Sequence, residues 1–261
     1  MSNSVRWFTR KYICRNGIEE RTKFCVRSSQ KGTRLDRAVR KASRASDNAE
    51  RQLARLSNNN FDTEDKHLVL EYTDVMLRIL YERALRSGIE PFEDAMYFEA
   101  KKEFDNWIRR VQRKLKGVVE FKYIGITSDL DGEKKTPVRL HHHVVINKEA
   151  LETCKEKWKG FVLDADLYTV HNDFSALAAY LINQVRYIPN AKRYTPSRNL
   201  EPPKTTKPVE ITRYGDSEMR IPKGCIKLYR SEYAKGANQY IRYYRPTKDE
   251  RYNNKNGRRQ I

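Results

Sequence analysis

Three consecutive histidines, His141-His142-His143, stand mid-chain in a sequence of 261 residues that contains only five histidines. They lead into the apolar run Val144-Val-Ile146, and together these residues predict a β-strand over about 138–147. Because side chains alternate between the faces of a strand, His141 and His143 point one way and His142 the other. Two imidazoles on one face can bind a divalent cation, although such pairs also serve purely structural roles.

A divalent cation beside a phosphodiester would indicate phosphoryl-transfer chemistry, which also needs a nucleophile. Water could serve, and so could a tyrosine hydroxyl that a metal ion or a base activates. Tyr180 stands in Ala178-Ala-Tyr-Leu-Ile-Asn-Gln184, within a helix predicted over 173–187. Tyr187 follows seven residues later, and a helix of that length would place both tyrosines on roughly the same face.

The charge balance indicates a polyanionic partner. The chain carries 53 Lys and Arg against 34 Asp and Glu, a net charge of +19, which favours nucleic acid, with an anionic membrane surface as the rival. The chain has no apolar stretch near 18 residues and no signal peptide at its start, so we expect no membrane association. Its four scattered cysteines lack CxxC spacing, which excludes a zinc knuckle and indicates reduced thiols in a cytoplasm.

The elements that must position these residues predict an α+β fold. Strands are predicted at 67–72, 118–127, 138–147 and 161–170, and helices at 93–116, 148–159 and 173–187. This order fits a mainly antiparallel sheet on the split βαβ, ferredoxin-like plan.

Three regions are predicted along the chain. Residues 1–60 form a basic N-terminal extension, with 15 Lys and Arg against 5 Asp and Glu, and a helix from Arg34 to Leu56 that Asn58-Asn-Asn60 ends. Residues 61–246 form one domain that closes with a hairpin of strands 226–229 and 240–244, and residues 247–261 form a basic tail.

The motifs resemble those of a known family. His141-His-His-Val-Val-Ile-Asn147 resembles the histidine–hydrophobic–histidine motif of the HUH endonucleases, with a histidine in the middle position. Tyr180-Leu-Ile-Asn183 looks like their tyrosine motif, usually Tyr-x-x-Lys, and His67 to Tyr72 is similar to their first-motif strand. The motif order over residues 60–246 resembles that of rolling-circle replication initiators from bacterial single-stranded DNA phages and related mobile elements.

This resemblance implies an HUH-like antiparallel sheet flanked by helices and a metal-dependent DNA endonuclease and strand transferase. His141 and His143 would hold Mg²⁺ or Mn²⁺, and Tyr180 would attack a phosphodiester of single-stranded origin DNA. The products would be a 5′-phosphotyrosine and a 3′-OH that primes replication. The implied partners are the origin DNA and a host helicase and polymerase, in the cytoplasm of a bacterial host, since the chain lacks the GxxxxGK[ST] motif of a helicase.

Two positions depart from the family pattern. Asn183 stands where the tyrosine motif usually has lysine, and the residues expected to compensate are Gln184, Arg186 or Lys192. The family also supplies a third metal ligand, often Glu, from the strand before the histidines. Asp129 is the expected substitute here, with Glu71 as a rival. The alternatives are an HUH relaxase or single-tyrosine transposase, and a basic nucleic-acid-binding protein without catalysis.

Overall fold

The computed structural model describes residues 5–27, 37, 49–131, 136–167, 169–188, 191–211 and 217–247. It divides the chain into two compact units, which we call the terminal unit (Met1–Asn59 with Pro202–Ile261) and the central unit (Asn60–Glu201). The elements in chain order are β1 (Val5–Ile13), β2 (Ile18–Arg27), α1 (Ala49–Asn60), β3 (Lys66–Glu71), α2 (Asp74–Ser87), α3 (Phe92–Leu115), β4 (Tyr123–Leu130), β5 (Pro137–Ile146), α4 (Leu151–Lys157), β6 (Phe161–Asp166), α5 (Ser175–Asn183), β7 (Thr195–Pro196), β8 (Lys204–Thr205), β9 (Val209–Ile211), β10 (Ile226–Arg230) and β11 (Gln239–Tyr244).

The predicted α+β class with antiparallel sheets is confirmed. Every pair of neighbouring strands in the described part of the chain is antiparallel. Among the helices that the structure describes, none has the length and apolarity that a bilayer crossing requires.

The central unit contains a five-stranded sheet in the order β6-β3-β5-β4-β7. One face of this sheet packs against α3, whose apolar residues recur at helical spacing and are all buried: Phe104, Trp107, Ile108, Val111 and Leu115. The sheet contributes alternate residues of its central strands to the same core, among them Leu68, Leu70, Val144 and Ile146. The predicted helix over 93–116 is therefore confirmed as the cover of one sheet face.

A glycine sets how closely α3 approaches the sheet. A Cβ on Gly125 of β4 would lie 2.2 Å from the Phe104 ring, far inside van der Waals contact. The absence of a side chain therefore lets the aromatic ring sit on the backbone of β4.

The terminal unit contains a six-stranded sheet that the sequence did not predict. Its strand order is β10-β11-β2-β1-β8, and β9 also pairs with β1. The predicted hairpin of β10 and β11 does form, but β11 then pairs with β2, so that Tyr240 lies opposite Thr22. Residues 202–247 therefore cluster with the N-terminal segment, whereas the sequence placed a single domain over 61–246.

The N-terminal segment also differs from the prediction of a helical extension. Two strands occupy residues 5–27, and α1 runs through Asn58-Asn-Asn60 instead of ending before them. Two of these asparagines form hydrogen bonds with distant backbone. The Asn59 side chain accepts from the Arg15 amide at 3.1 Å, and the Asn60 side chain accepts from the Glu201 amide at 2.8 Å. Most of the predicted helix between 34 and 48, and the predicted tail from residue 248 onward, lie outside the described residues.

Candidate active site

The face of the central sheet opposite α3 carries the candidate chemistry, and we call it the site face. Strand register aligns its side chains in rows that cross β6, β3, β5 and β4. The first row is Phe161, Glu71, His141 and Ser128, and the second is Leu163, Val69, His143 and Ile126. The prediction that His141 and His143 share a face is confirmed.

His142 lies on the opposite face, as the alternation predicted. It is fully buried among aromatic rings, and its ring nitrogens lie 2.5 Å from the Tyr72 hydroxyl and 3.1 Å from the Thr127 hydroxyl. Burial lowers the pKa of His142 well below its ordinary value, so the ring is neutral at physiological pH. Its two ring nitrogens are engaged in the core, which gives the middle histidine a structural role.

His141 presents a lone pair to its neighbour. Its Nδ1 lies 2.7 Å from the carbonyl oxygen of Arg139. Because a carbonyl only accepts, Nδ1 must carry the proton and Nε2 is left with a lone pair. That Nε2 is 3.0 Å from Nε2 of His143. Two nitrogens that each bind one ion at about 2.1 Å, with an angle of about 90° at the ion, are about 3.0 Å apart. The observed distance matches this value.

The other side of His143 is fixed by two residues that the sequence placed near the motifs but did not predict as partners of His143. His143 Nδ1 lies 3.0 Å from Nε2 of His67, with the two rings stacked, and His143 Nε2 lies 2.9 Å from Oε1 of Gln184. Burial lowers the pKa of His67 to about 4. Burial, and then the nearby His141 and His67 rings, lower the pKa of His143 to about 3. Both rings are thus neutral at physiological pH.

Two proton arrangements satisfy these contacts. If His67 donates to His143 Nδ1, then His143 Nε2 carries a proton and donates it to Gln184 Oε1. If His143 Nδ1 donates to His67, then His143 Nε2 has a lone pair that lies beside the Nε2 lone pair of His141 and the Gln184 oxygen. The second arrangement is the one that a bound cation selects.

Tyr180 lies against the histidines. Helix α5 buries Ala178, Leu181 and Ile182, which turns Tyr180 to the other side of the helix, where its side chain is 51% exposed. Its ring packs edge-on against the His143 ring with centroids 5.6 Å apart. The helix begins after Asp173, whose carboxylate accepts from the Ser175 amide at 3.1 Å.

A cleft of about 620 Å³ opens at this point. His141 and Tyr180 line it, together with two residues at the end of α5 and several from strands and turns: Asn183, Gln184, Glu71, Leu130, Asp131, Val138 and Arg139. Glu71 is the direct cross-strand partner of His141, so their side chains leave the sheet side by side. The Arg139 guanidinium is held by the Tyr72 carbonyl at 2.6 Å and the Asp74 carboxylate at 2.8 Å.

Asp129, the predicted third metal ligand, is not brought together with the histidines. Ser128 is the cross-strand partner of His141, and the next residue along an extended strand points to the other face. The Asp129 carboxylate instead binds the Arg186 guanidinium through Nε at 2.9 Å and Nη2 at 2.6 Å. The same ion pair engages Arg186, one of the residues expected to replace the missing lysine.

Tyr187 also lies away from the cleft. The helix ends at Asn183, four residues earlier than predicted, so the seven-residue spacing no longer places Tyr187 on the face of Tyr180. Its side chain is 73% exposed, and the Arg193 guanidinium lies 5.7 Å from its ring centre.

The metal ligands are only partly assembled. Within the part of the chain that the structure describes, no group of three or more His, Cys, Asp or Glu side chains is arranged to hold a metal ion. The converging nitrogens of His141 and His143 fit two neighbouring positions around an ion, and Glu71 shares their cleft. A divalent ion would thus need Glu71 to swing toward His141, or water to complete its shell.

Comparison with known proteins gave no match: no family model, no curated protein and no solved structure was found to be similar to this chain. The geometry of the cleft and the sequence motifs are therefore the basis for assigning a function.

Proposed function

We propose that this protein is a metal-dependent DNA endonuclease and strand transferase that nicks single-stranded origin DNA through Tyr180 and so initiates rolling-circle replication. The observation that carries the proposal is the meeting of three side chains at one cleft. The His141 and His143 nitrogens are 3.0 Å apart, and the half-exposed ring of Tyr180 packs on His143. Tyr180 and His141 line the cleft, and the buried His143 lies directly behind them in contact with both.

The chain's own residues set up the attack. The Arg139 carbonyl orients His141, and His67 orients His143, so that the two Nε2 atoms lie next to each other. His141, His143 and Glu71 would hold Mg²⁺ or Mn²⁺, which when bound would neutralise the scissile phosphate and lower the barrier to its displacement. The exposed hydroxyl end of Tyr180 makes the nucleophile accessible to a strand in the cleft.

The proposed reaction exchanges one phosphate ester for another. The Tyr180 hydroxyl oxygen attacks phosphorus, the bond from phosphorus to the 3′ oxygen breaks, and the leaving oxygen takes up a proton as a free 3′-OH. The tyrosine proton passes to solvent. Because the bond made equals the bond broken in type, a later 3′-OH can reverse the step and close a circle without ATP.

Arg139 is the residue that we propose in place of the lysine missing at Asn183. It lines the same cleft as Asn183 and Tyr180, whereas Arg186 is engaged with Asp129. The contacts of its guanidinium with Tyr72 and Asp74 both go through Nη2, so the guanidinium is held in place at one nitrogen. An arginine anchored in this way presents a preformed phosphate ligand.

The site face also offers an apolar surface for bases. Phe161 and Leu163 begin the two register rows that lead to His141 and His143, and their side chains are 62% and 59% exposed. Exposed aromatic rings beside a phosphate site are typical platforms for unpaired bases. A single strand could thus cross the sheet from Phe161 to the cleft.

The test is a covalent-adduct assay on single-stranded fragments of the DNA element that encodes the protein, labelled at either end, with Mn²⁺ or with EDTA. We expect a metal-dependent protein–DNA band that disappears in Tyr180→Phe and persists in the matched control Tyr187→Phe. A band that survives Tyr180→Phe would contradict the assignment of the nucleophile. A circular single-stranded product would favour replication over a relaxase or transposase activity, and host helicase and polymerase are the partners such a replication cycle requires.

A second candidate, a nucleic-acid-binding protein without catalysis, is favoured by one observation. His67, His143 and Gln184 form a continuous chain of hydrogen bonds that satisfies the His143 ring without any ion. This reading predicts DNA binding with no adduct on any fragment, with either metal ion. It also predicts that Mn²⁺ leaves the thermal stability of the protein unchanged, whereas a metal site between His141 and His143 predicts an increase.

A further inference from the structure

The net charge of the protein lies in one of its two units. The terminal unit carries 15 Lys and Arg against 5 Asp and Glu in residues 1–59, and 15 against 6 in residues 202–261. The central unit carries 23 against 23 and is neutral. The whole excess of +19 therefore belongs to the unit that does not contain the candidate active site.

The excess is present in the described part of the terminal unit as well. Its described residues include 19 Lys and Arg against 6 Asp and Glu. Ion pairs neutralise only part of this positive charge. Among them, Arg6 binds Glu210, Arg55 binds Glu20, and Arg230 binds Glu218. The terminal unit thus presents a net positive surface that its own carboxylates do not neutralise.

The β10–β11 hairpin shows how this charge is displayed. Strand β10 is at one end of the strand order, and its only partner among the described strands is β11. Lys223, Lys227 and Lys235 are exposed on this hairpin and the turn that precedes it. Between them Tyr229 is 46% exposed, with the Arg242 guanidinium 5.8 Å from its ring centre. Cations interleaved with accessible aromatic rings suit a nucleic acid strand, which offers both phosphates and base faces.

We propose that the terminal unit is the DNA-holding module of this protein: it makes the phosphate contacts that provide affinity, and the central unit performs the chemistry on the strand so held. The inference deepens the proposed function and rests on it for the identity of the substrate. A neutral unit releases few counterions when it meets DNA, so its own binding should be weak and nearly independent of salt. A unit with this excess charge should bind tightly and lose affinity steeply as salt rises.

The experiment measures the affinity of the full-length protein for a labelled single-stranded oligonucleotide, in EDTA, from about 50 to 200 mM salt. One variant combines Lys223→Gln, Lys227→Gln and Lys235→Gln on the terminal unit. The matched control combines Lys114→Gln, Lys116→Gln and Lys159→Gln, which are exposed lysines of the central unit. Both variants lower the net charge by the same amount, so an effect of overall charge alone would be equal in the two.

We expect the terminal-unit variant to reduce the slope of log affinity against log salt by up to about 2, since each lost phosphate contact to a single strand removes about 0.7. We expect the control to leave the slope unchanged. A control that loses as much slope as the terminal-unit variant, or more, would overturn the proposal, and so would binding that shows no salt dependence in the unmodified protein.

The adduct assay at saturating DNA separates this inference from the proposed function. If both hold, the terminal-unit variant needs more DNA than the control variant to reach half of its maximal rate of adduct formation. If the unmodified protein binds with the expected salt dependence yet forms no adduct, the proposed chemistry fails and the DNA-holding role of the terminal unit stands.

Discussion

The two units bury different kinds of side chain. The terminal sheet encloses charges of both signs, because Glu19, Glu20, Lys23 and Arg55 are all less than 5% exposed. In the described part of the central unit no lysine or arginine is buried, although the carboxylates of Asp65 and Glu99 are, and the core there consists mostly of aliphatic and aromatic residues around the neutral ring of His142. The unit with excess surface charge is therefore also the one whose core depends on ion pairs.

This difference indicates how each unit should respond to the loss of a charged residue and to changes of pH or salt. Ion pairs in a core hold only while both partners stay charged, and removing one partner leaves the other buried without compensation. Apolar packing and neutral imidazoles respond much less to pH and salt. Changes to charge should therefore act on the stability of the terminal unit and on the chemistry of the central unit.

The largest effect is expected at His141. The variant His141→Ala should slow adduct formation by at least about a hundredfold, because one of the two converging nitrogens is lost. DNA affinity in EDTA should not change, since the affinity is assigned to the other unit. His171→Asn is the control, because His171 is exposed and Asn tolerates its positive φ of 56°. An adduct rate equal to that of the unmodified protein would remove His141 from the site.

The next largest effect is expected at the buried pair of Glu20 and Arg55, whose atoms approach to 2.6 Å with the Arg55 guanidinium stacked 3.4 Å from the Tyr12 ring centre. Glu20→Ala should destabilise the terminal unit by about 3 kcal/mol, because the Arg55 charge stays buried. Hydrogen exchange should show lost protection in residues 5–27 and 239–244 but not in the central sheet. The exposed Glu232→Ala is the control, and equal protection in both variants would contradict the expectation.

A smaller loss is expected at Arg139. Arg139→Ala should reduce the adduct rate at saturating DNA by about tenfold, through loss of a charge-assisted contact to the scissile phosphate. Arg139→Lys should recover part of that loss, because it restores the charge but not the two-nitrogen fork. Arg109→Ala, an exposed arginine of α3, should change nothing. The assignment fails if Arg139→Ala and Arg109→Ala give the same rate.

Phe161 tests whether the central unit holds bases without using charge. Phe161→Ala should weaken single-strand binding by about fivefold, within the range for loss of one stacked base, and should leave the salt slope unaltered. Phe161→Tyr should keep the affinity, since it keeps a ring of similar size. Titrations of both variants with the single strand over the same salt range would measure the affinity and its salt slope. A change of slope would mean that Phe161 affects phosphate contacts instead.

The smallest effect is expected from acid. Burial alone would raise the pKa of Glu19, but hydrogen bonds from Arg245 and Lys11 outweigh it and lower the pKa from 4.5 to about 2. A carboxyl with a depressed folded-state pKa stabilises the fold above its unfolded pKa and loses that contribution as pH falls toward the folded value. The urea concentration needed to unfold the terminal unit should thus decrease as the pH falls from about 4.5 to about 2. Glu19→Gln should flatten that dependence, and an identical pH profile would contradict it.

Much of the central unit could be predicted from the sequence because its residues alternate cleanly. The pattern of His67 to Glu71 and of Leu140 to Ile146 predicted two strands, and the alternation predicted the faces of all three adjacent histidines. The stripe from Phe104 to Leu115 fixed the helix beneath them. Local periodicity is sufficient where one face of each element is buried and the other is not.

The ligand prediction at Asp129 was made from position along the chain, and the structure does not bring its carboxylate together with the histidines. Asp129 is next to the residue that faces His141, so pleating turns its carboxylate away. Glu71 could be recognised as the neighbour of His141 only from the register of β3 and β5, which depends on pairing between residues 70 positions apart. Gln184 was predicted only as a possible replacement for the missing lysine, and its contact with His143 depends on where α5 ends.

The terminal sheet was missed for a different reason. Charged residues interrupt both faces of β1 and β2, as in Ile18-Glu-Glu-Arg-Thr-Lys23, so neither strand shows a clear alternation. The two strands pair with each other, but the strands on either side of this pair lie about two hundred residues further along the chain. Burial of ion pairs within a sheet leaves no hydropathy signal, because each partner is polar when considered alone.

The position of β11 has a consequence for the order of events during synthesis. This strand lies between β10 and β2, and it is synthesised about two hundred residues after β2. The central unit is complete in the nascent chain at Glu201, but the terminal sheet must wait until residue 244 has left the ribosome. Its long sequence separation makes this pairing the slow, late step of folding. Under the proposed functions, a nascent chain would thus form the cleft before the DNA-holding sheet, which delays tight binding until β11 has been made.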